Sequence, residues 1–448
     1  MSSLGRRVVH TARRNAALTA RRLGWRPADE RHDGSAPYLV AFPPAPPTDP
    51  PGPTVSLLND TRDQCNFGSE VLTDGLVRIL RDRVPGVTVE PIPSHWMIGL
   101  DMPVIYHDHA RGFRVPDARY PRVADQFDAV ADHWEAGTGG AGVAAIVERL
   151  GRADLVFTNG EGSLYRDNES AVRELFCAWF AKERLGIPTV FANAMVHLTD
   201  VVPILPGMVR RTFPVLDAVA VREARSLANL EAFLPDLPAR LIPDSAFAIT
   251  PADARDTAAV ADVRARIGGR PYFVFDPGTM PIDARPGTRS ALHRMIEALK
   301  GTDVQAVFVR KDLTDQFVEA VARETGSVFV DTVEDYREYM TLLADAEYVV
   351  TGRYHNTTLA GIMGCPVLAL ATTNHKVHGA VDMLDPELGE PFDGTDVLPA
   401  LDAIVARARG FRAERDAWRR RLTEVAAVRH QECFALGDLV RDRLVPTR

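Results

Sequence analysis

Apolar residues in this chain gather in short solid runs, and the runs alternate with longer stretches in which apolar side chains recur every three or four positions. Solid runs predict strands buried on both faces of a parallel sheet, and the spaced stretches predict helices that cover it. Strands are expected at residues 55–58, 87–92, 153–157, 189–192 and 218–221. Helical spacing fills 71–80, 169–185 and 226–233, and 201–216 reads as helix and turn. Polar loops are expected at 59–68 and 158–165. A break around Pro251 and the charged stretch before Arg270 precedes a second series. Its strands are expected at 272–275, 304–309, 328–330, 348–350 and 366–370, and its helices at 287–299, 313–325, 336–344 and 359–363. Residues 411–444 read as one long, charged, amphipathic helix, whereas 101–122 has no clean period and reads as a long loop or irregular insertion.

Strand–helix alternation of this kind implies α/β architecture with parallel sheets. A chain of 448 residues exceeds one ordinary core, so two domains are expected. The pattern divides into a basic leader with a Pro-rich spacer at 1–53, a Rossmann-like domain at 54–250 and a second one at 251–448. The expected fold is two Rossmann-like domains with parallel sheets facing a cleft, followed by the terminal helix.

Charge narrows the partners. A net charge of −8 gives no general attraction to nucleic acid. The leader departs from the average, with Arg6, Arg7, Arg13, Arg14, Arg21, Arg22, Arg26 and Arg31 in its first part. It reads either as a mobile basic segment or as a helix lying on an anionic membrane surface, a possible peripheral membrane contact. Residues 42–53 carry closely spaced prolines and predict an extended spacer. The four scattered cysteines have no metal or disulfide spacing and fit a reducing cytoplasm. No apolar run reaches the ~20 residues that cross a bilayer. The oligomeric state is not legible.

The most informative segment is Gly352-Arg353-Tyr354-His355. A strand ends there and a helix-like stretch begins, and ligands of open α/β sheets bind at such carboxyl edges. An Arg forks onto carboxylate or phosphate, and a His moves protons near neutral pH. Asn356, Thr357 and Thr358 enrich the helix mouth in polar groups beside its unpaired N–H donors, a seat for an anion. Arg222 stands at another strand end, before Glu223 and a Ser226 suited to cap a helix; the pair reads alternatively as a surface ion pair. Asn374, His375, Lys376 and His378 follow the next strand, where Lys376 reaches a second anion oxygen if the loop is not simply solvated.

Upstream, Gly160, Glu161 and Gly162 form a turn after a strand, in which glycine permits close approach to a ligand and Glu161 offers a base. The turn is neither a dinucleotide fingerprint nor a P-loop. The loop from Asn59 through Asp60, Cys65, Asn66 and Gly68 lies before a helix. His107 and His109 alternate like metal ligands but lack a convincing third, and His95 and Asp108 share their irregular stretch, so no metal is expected. Cys65 is a nucleophile only with a nearby His.

Taken in order, these segments resemble the polysaccharide pyruvyl transferase family. The elements are Asn66-Phe67-Gly68-Ser69-Glu70, the strand and glycine turn from Asp154 to Leu164, Arg222-Glu223 with Ser226, and Pro243-Asp244-Ser245-Ala246-Phe247. Gly352-Arg353-Tyr354-His355, Gly364-Cys365-Pro366 and His375-Lys376 complete them. The resemblance covers about residues 55–385 and implies a glycosyltransferase-B-like fold. It implies transfer of pyruvate from phosphoenolpyruvate to a sugar as a ketal, with no metal and no cofactor beyond the donor substrate. By the same resemblance Arg222 and Arg353 bind carboxylate and phosphate, and His355 is the acid/base candidate. Tyr354, Lys376, Asn374, Asn66, Gly68 and Gly160 are expected to line the substrate site, with Glu161 or Asp60 aiding the sugar hydroxyl. Two departures fall on the acceptor side: Ser69 stands where the family has Asp, and Asn159 and Glu161 interrupt its triple glycine. The acceptor is expected to be a glycan or glycolipid precursor, at the cytoplasmic face of the membrane. A nucleotide-sugar glycosyltransferase and a non-catalytic anion or glycan binder remain alternatives.

Overall fold

The structure is a computed structural model that describes residues 52–63, 66–94, 120–139, 141–167, 169–198, 203–278, 287–310, 316–333, 335–371 and 374–444. The basic leader, Cys65, His95, His107, Asp108 and His109, and most of the irregular stretch lie outside the described residues.

The chain forms two compact units. One takes the chain up to Cys65, Leu76–Ile242 and the end from Phe434; the other takes Asn66–Gly75 and Pro243–Cys433. The chain thus passes from one unit to the other four times, after Cys65, Gly75, Ile242 and Cys433, rather than once near residue 250. The first helix, α1 (Phe67–Arg83), begins in the second unit and ends in the first. Its early turns are tied into the second unit by Asp74, whose carboxylate accepts from Tyr336 Oη at 3.1 Å and Arg337 Nη2 at 2.9 Å. Phe67 stacks on Tyr339 with ring centroids 4.8 Å apart.

The first unit holds a six-stranded parallel sheet in the order β2-β1-β3-β4-β5-β6. Its strands are β1 (Thr54–Asp60), β2 (Thr88–Pro93), β3 (Leu155–Asn159), β4 (Thr189–Ala194), β5 (Ala218–Val221) and β6 (Arg240–Leu241). The strand β3 is buried at every position, as a strand covered on both faces must be. Two helices escape the sequence reading: α2 (Phe127–Glu135) and α3 (Ala141–Gly151). Yet Phe127, Val130, Ala131 and Trp134 recur at helical spacing and are all buried. Trp134 meets Phe176 edge-on at 4.9 Å, so this stripe packs on α4 (Glu169–Glu183). Helices α5 (Leu205–Thr212) and α6 (Ala224–Phe233) follow β4 and β5.

The second unit holds another six-stranded parallel sheet, ordered β12-β11-β10-β7-β8-β9. Here β7 is Tyr272–Asp276, β8 Gln305–Val309, β9 Val328–Val330, β10 Val349–Thr351, β11 Val367–Ala371 and β12 Phe392–Asp393. Counted from β7 this is the 3-2-1-4-5-6 order of a dinucleotide-type sheet, whose switch point lies between β7 and β10. Helix α7 (Ala258–Ile267) precedes β7, and α8 (Thr288–Lys300), α9 (Gln316–Glu324) and α10 (Tyr336–Asp345) join the first four strands. α11 (Tyr354–Ile362) follows β10 directly, five residues earlier than the pattern predicts, because polar Asn356, Thr357 and Thr358 are themselves buried in its first turns. A further unexpected helix, α12 (Lys376–Leu384), follows β11.

The chain after residue 400 is helical but not one rod. It breaks into α13 (Leu401–Ala413), α14 (Arg415–Cys433) and α15 (Ala435–Leu444), and Phe411 belongs to the first of these. The long member is α14, where His430 Nδ1 lies 2.9 Å from the carbonyl of Phe247. Among the described residues no helix is long and apolar enough to cross a membrane.

Candidate active site

At the switch point of the second sheet, β7 and β10 run side by side with Asp276 level with Thr351. The chain then turns at Gly352, where a Cβ would lie 2.4 Å from the carbonyl oxygen of Pro277, so only glycine fits. Arg353 caps α11 in an extended conformation. Its Nε donates to Asp276 Oδ1 at 3.0 Å, while Asn356 Nδ2 donates to Asp276 Oδ2. The buried carboxylate thus grips two side chains of one helix mouth and sets the guanidinium plane.

His355 is buried, with Nε2 3.3 Å from Oδ2 of the fully buried Asp244. Asp244 is fixed in turn, since its Oδ1 accepts the Ala246 N–H at 2.8 Å. A carboxylate on one ring nitrogen orients an imidazole. The backbone of Gly68 lies against the other nitrogen: a Cβ there would come within 2.5 Å of His355 Nδ1. Tyr354 is buried and meets the imidazole edge-on at 5.2 Å, so it packs the ring. Tyr339 lies beneath, and burial, reinforced by the Asp276 charge, raises its phenol well above the usual range. On the neighbouring strand's carboxyl side, Asn374 Oδ1 accepts the Lys376 N–H at 3.0 Å and opens α12. Asn66 does local work of the same kind, its Oδ1 accepting the Ser69 N–H at 2.7 Å at the start of α1.

The first unit has its own polar edge. At the switch between β1 and β3, Asn59 and Asn159 exchange amide-to-carbonyl hydrogen bonds of 2.8 and 3.1 Å. Asn193 Nδ2 donates to Asn159 Oδ1 at 3.3 Å. Asn59 and Asn193 have φ of 64° and 61°, a left-handed conformation that Asn tolerates better than most residues. Gly160 follows, and a Cβ on it would sit 2.5 Å from Phe191 and 2.7 Å from Ala194 Cβ. Glu161 takes φ of 35°, and its carbonyl accepts the Met195 N–H at 2.7 Å. A Cβ on Gly162 would stand 3.8 Å from Arg222 Nη2, so this turn runs beside Arg222.

Three expectations change here. Arg222 and Glu223 are both buried, which rules out a surface ion pair. Ser226 does not cap a helix: α6 starts at Ala224 with Glu223 at the cap, and Ser226 sits inside the first turn. Its hydroxyl donates to Glu223 and accepts the Val196 N–H at 2.8 Å, joining the segment after β4 to the helix. Asp60, read from the sequence as an aid to the sugar hydroxyl, is engaged by Arg62, whose Nε lies 3.0 and 3.1 Å from its two oxygens.

Within the second unit the structure therefore brings together His355, Arg353, Tyr354 and Gly68, with Asn374 and Lys376 on the same sheet edge. Within the first it brings together Arg222, Gly160 and Glu161. The sequence reading missed Asp276, although an acid ending an apolar strand before Pro277-Gly278 carries the same signal that singled out Arg353. It quoted Asp244 without pairing it to His355. It also missed Glu174, buried behind the Gly160 turn, whose carboxyl is pushed up to about 8 by burial, with the Glu161 charge adding to the rise. Among the described residues no group of three or more His, Cys, Asp and Glu side chains forms a metal-holding cluster.

The family model for polysaccharide pyruvyl transferase matches residues 66–374. No curated protein matches the chain significantly. Solved structures of similar architecture include UGT89C1 of Arabidopsis thaliana complexed with quercetin, at 11% identity and a TM-score of 0.52, covering 88% of this chain and 100% of that one. Alr3699/HepE of Anabaena in complex with UDP matches at 12% identity and 0.51, covering 87% and 98%. A putative UDP-N-acetylglucosamine 2-epimerase from Listeria monocytogenes matches at 12% and 0.53, covering 86% and 93%. At such identities the likeness is one of fold, and that fold is glycosyltransferase-B-like.

Proposed function

The chain belongs to the polysaccharide pyruvyl transferase family, and on that premise we propose that it moves a pyruvyl group from phosphoenolpyruvate onto a sugar of a glycan or glycolipid precursor as a ketal. The observation that carries this reading is the mouth of α11. There one short segment holds a carboxylate-oriented imidazole, His355 on Asp244, and a carboxylate-oriented guanidinium, Arg353 on Asp276. An anionic donor that must gain a proton calls for that pair of groups.

The chemistry follows from the donor. His355, protonated and supported by Asp244, gives its proton to the methylene carbon of phosphoenolpyruvate, which becomes a methyl group. The neighbouring carbon becomes oxocarbenium-like. One sugar hydroxyl adds to it and loses its proton to a base, for which Glu161 is the candidate. The carbon–oxygen bond to phosphate then breaks, inorganic phosphate leaves, and a second hydroxyl adds to close the ketal, returning its proton to the His355 imidazole. Arg353 supplies positive charge for the donor's anionic groups, with Lys376 and the N–H groups at the start of α11 as further partners for anionic oxygen. General acid catalysis of this kind contributes typically ~10²–10⁴-fold. None of these steps requires a redox cofactor. The same proposal assigns the work to the cytoplasm, with the arginines of residues 1–31 drawing the enzyme to an anionic membrane that carries a lipid-linked acceptor.

The test is phosphate release from phosphoenolpyruvate in the presence of a panel of hexose-containing glycans and glycolipids, with mass analysis of the acceptor. Acceptor-dependent phosphate and a ketal mass gain are expected. Turnover or thermal stabilisation with a nucleotide sugar, and none with phosphoenolpyruvate, would overturn the reading in favour of a glycosyltransferase. Binding of phosphoenolpyruvate without phosphate release on any acceptor would favour a binding protein.

A further inference from the structure

Glu174 has no part in the chemistry above, yet it is a fully buried carboxyl behind the turn that carries Glu161. Ser163 Oγ lies 2.7 Å from Glu174 Oε2 and 2.9 Å from the carbonyl oxygen of Gly160. Ser170 Oγ lies 2.6 Å from Glu174 Oε1. The Ser163 hydroxyl has one proton and faces two acceptors if the carboxyl is ionised. Both contacts become full hydrogen bonds when Glu174 carries a proton. Its O–H then donates to Ser163, and Ser163 donates to Gly160.

We propose that Glu174 works as a neutral carboxylic acid that fixes the turn from Gly160 to Ser163, and so acts as a positioning residue for Glu161 and for the surface beside Arg222. The turn needs such support. Glu161 is held at φ of 35°, a conformation that costs energy for a non-glycine residue and persists only when its surroundings enforce it. Met195 secures the turn at the Glu161 carbonyl, and Glu174 secures its two ends through Ser163.

The charged groups around it are of both signs: Glu161 on the turn raises the carboxyl further, Arg173 on the same helix lies over the Tyr120 ring and acts on Cys177, and the Arg222 guanidinium runs beside Gly162. The cations of the packed helix α5 are engaged elsewhere, Arg210 over Phe233 and Arg211 with Asp128. Burial therefore favours the protonated form, and the carboxyl is raised to about 8. Ionisation above that range puts a second negative charge next to Glu161, against an anionic donor.

The proposal rests on the pyruvyl transfer reading for its kinetic consequence but not for its protonation state, and two measurements separate the two. The first is the thermal midpoint of the full chain against pH, for the wild type and for Glu174→Gln. A carboxyl raised in the folded state contributes stability that is present below its unfolded value near 4.5 and is lost as pH rises through about 8. The wild type should therefore lose stability relative to Glu174→Gln across that window. Parallel curves overturn the proposal whether or not the protein transfers pyruvate. The second is the pH profile of phosphate release. The wild-type profile should fall more steeply through pH 8 than that of Glu174→Gln, because both share the general acid His355 and only the wild type can also ionise Glu174. Ser163→Ala should lower kcat by on the order of 10-fold or more through misplacement of the turn, with the KM for phosphoenolpyruvate changing less. Superimposable pH profiles of the two proteins, or an unaltered kcat in Ser163→Ala, overturn the positioning role. Absence of phosphate release in the wild type instead sinks the pyruvyl transfer reading and leaves the thermal comparison to decide on Glu174.

Discussion

Nε2 of His355 lies 3.3 Å from the buried Oδ2 of Asp244, a residue 111 positions away in the chain. The pairing fixes how the imidazole is oriented. It also gives Asp244 two tasks, because its other oxygen caps the 3₁₀ turn Ser245–Ala248. Asp244→Asn keeps the shape of the cap and removes the carboxylate charge beside the ring. We expect kcat to fall while the thermal midpoint changes little. A kcat unchanged by Asp244→Asn would show that the carboxylate does not serve the acid.

Removing the imidazole is the direct test of the acid. His355→Ala should cut phosphate release by ~10²–10⁴-fold. Circular dichroism and the thermal midpoint serve as the control for folding. Full phosphate release from a folded His355→Ala protein would remove His355 from the mechanism.

Asp276 orients Arg353 and Asn356 together. Asp276→Ala removes the carboxylate that sets the plane of the mostly buried guanidinium. The expected result is a KM for phosphoenolpyruvate raised by about 10-fold or more, since 1.4 kcal/mol of lost binding is tenfold. Arg353→Lys should do similar damage, because an ammonium cannot hold Asp276 through Nε and still present a fork to an anion. Isothermal titration with phosphoenolpyruvate separates this binding loss from a loss of chemistry.

Gly68 and Gly160 distinguish site from scaffold. At Gly68 a new methyl would meet the His355 ring, which moves more readily than backbone, so Gly68→Ala should reduce kcat with a modest loss of stability.

At Gly160 the obstacles are Phe191 and Ala194 inside the sheet core. Gly160→Ala should destabilise the protein by about 1–3 kcal/mol, the range of an overpacked core, read as a lower urea midpoint.

Much of the architecture was legible from hydrophobic pattern alone. Solid runs such as Tyr272-Phe273-Val274-Phe275 became buried strands because a parallel sheet covered by helices hides both faces. The reading failed where the pattern is carried by other means. The start of α11 was set too late because Asn356, Thr357 and Thr358 are polar yet buried. Their side chains find partners inside the protein, as when Thr357 Oγ1 donates to the Arg353 carbonyl at 2.9 Å. The terminal helix was drawn as one because helical spacing persists through its breaks at Glu414 and Phe434. Ser226 was misplaced as a cap because a serine near a helix start has two uses, and here a hydrogen bond across to Val196 decided the matter.

The sequence by itself determined the α/β alternation, the two successive series of strands, and the standing of Arg353 and His355 at a strand end and helix mouth. Those features follow from local periodicity and from residues close together in the chain. Only the tertiary structure decided that β7 lies beside β10, which brings Asp276 to Arg353 from 77 residues away, and that Asp244 faces His355. It alone placed Glu174 behind the turn of Glu161. Strand order and buried polar partners come from contacts between segments distant in sequence, and a carboxylate's ionic partner leaves no periodic trace in the chain that carries it.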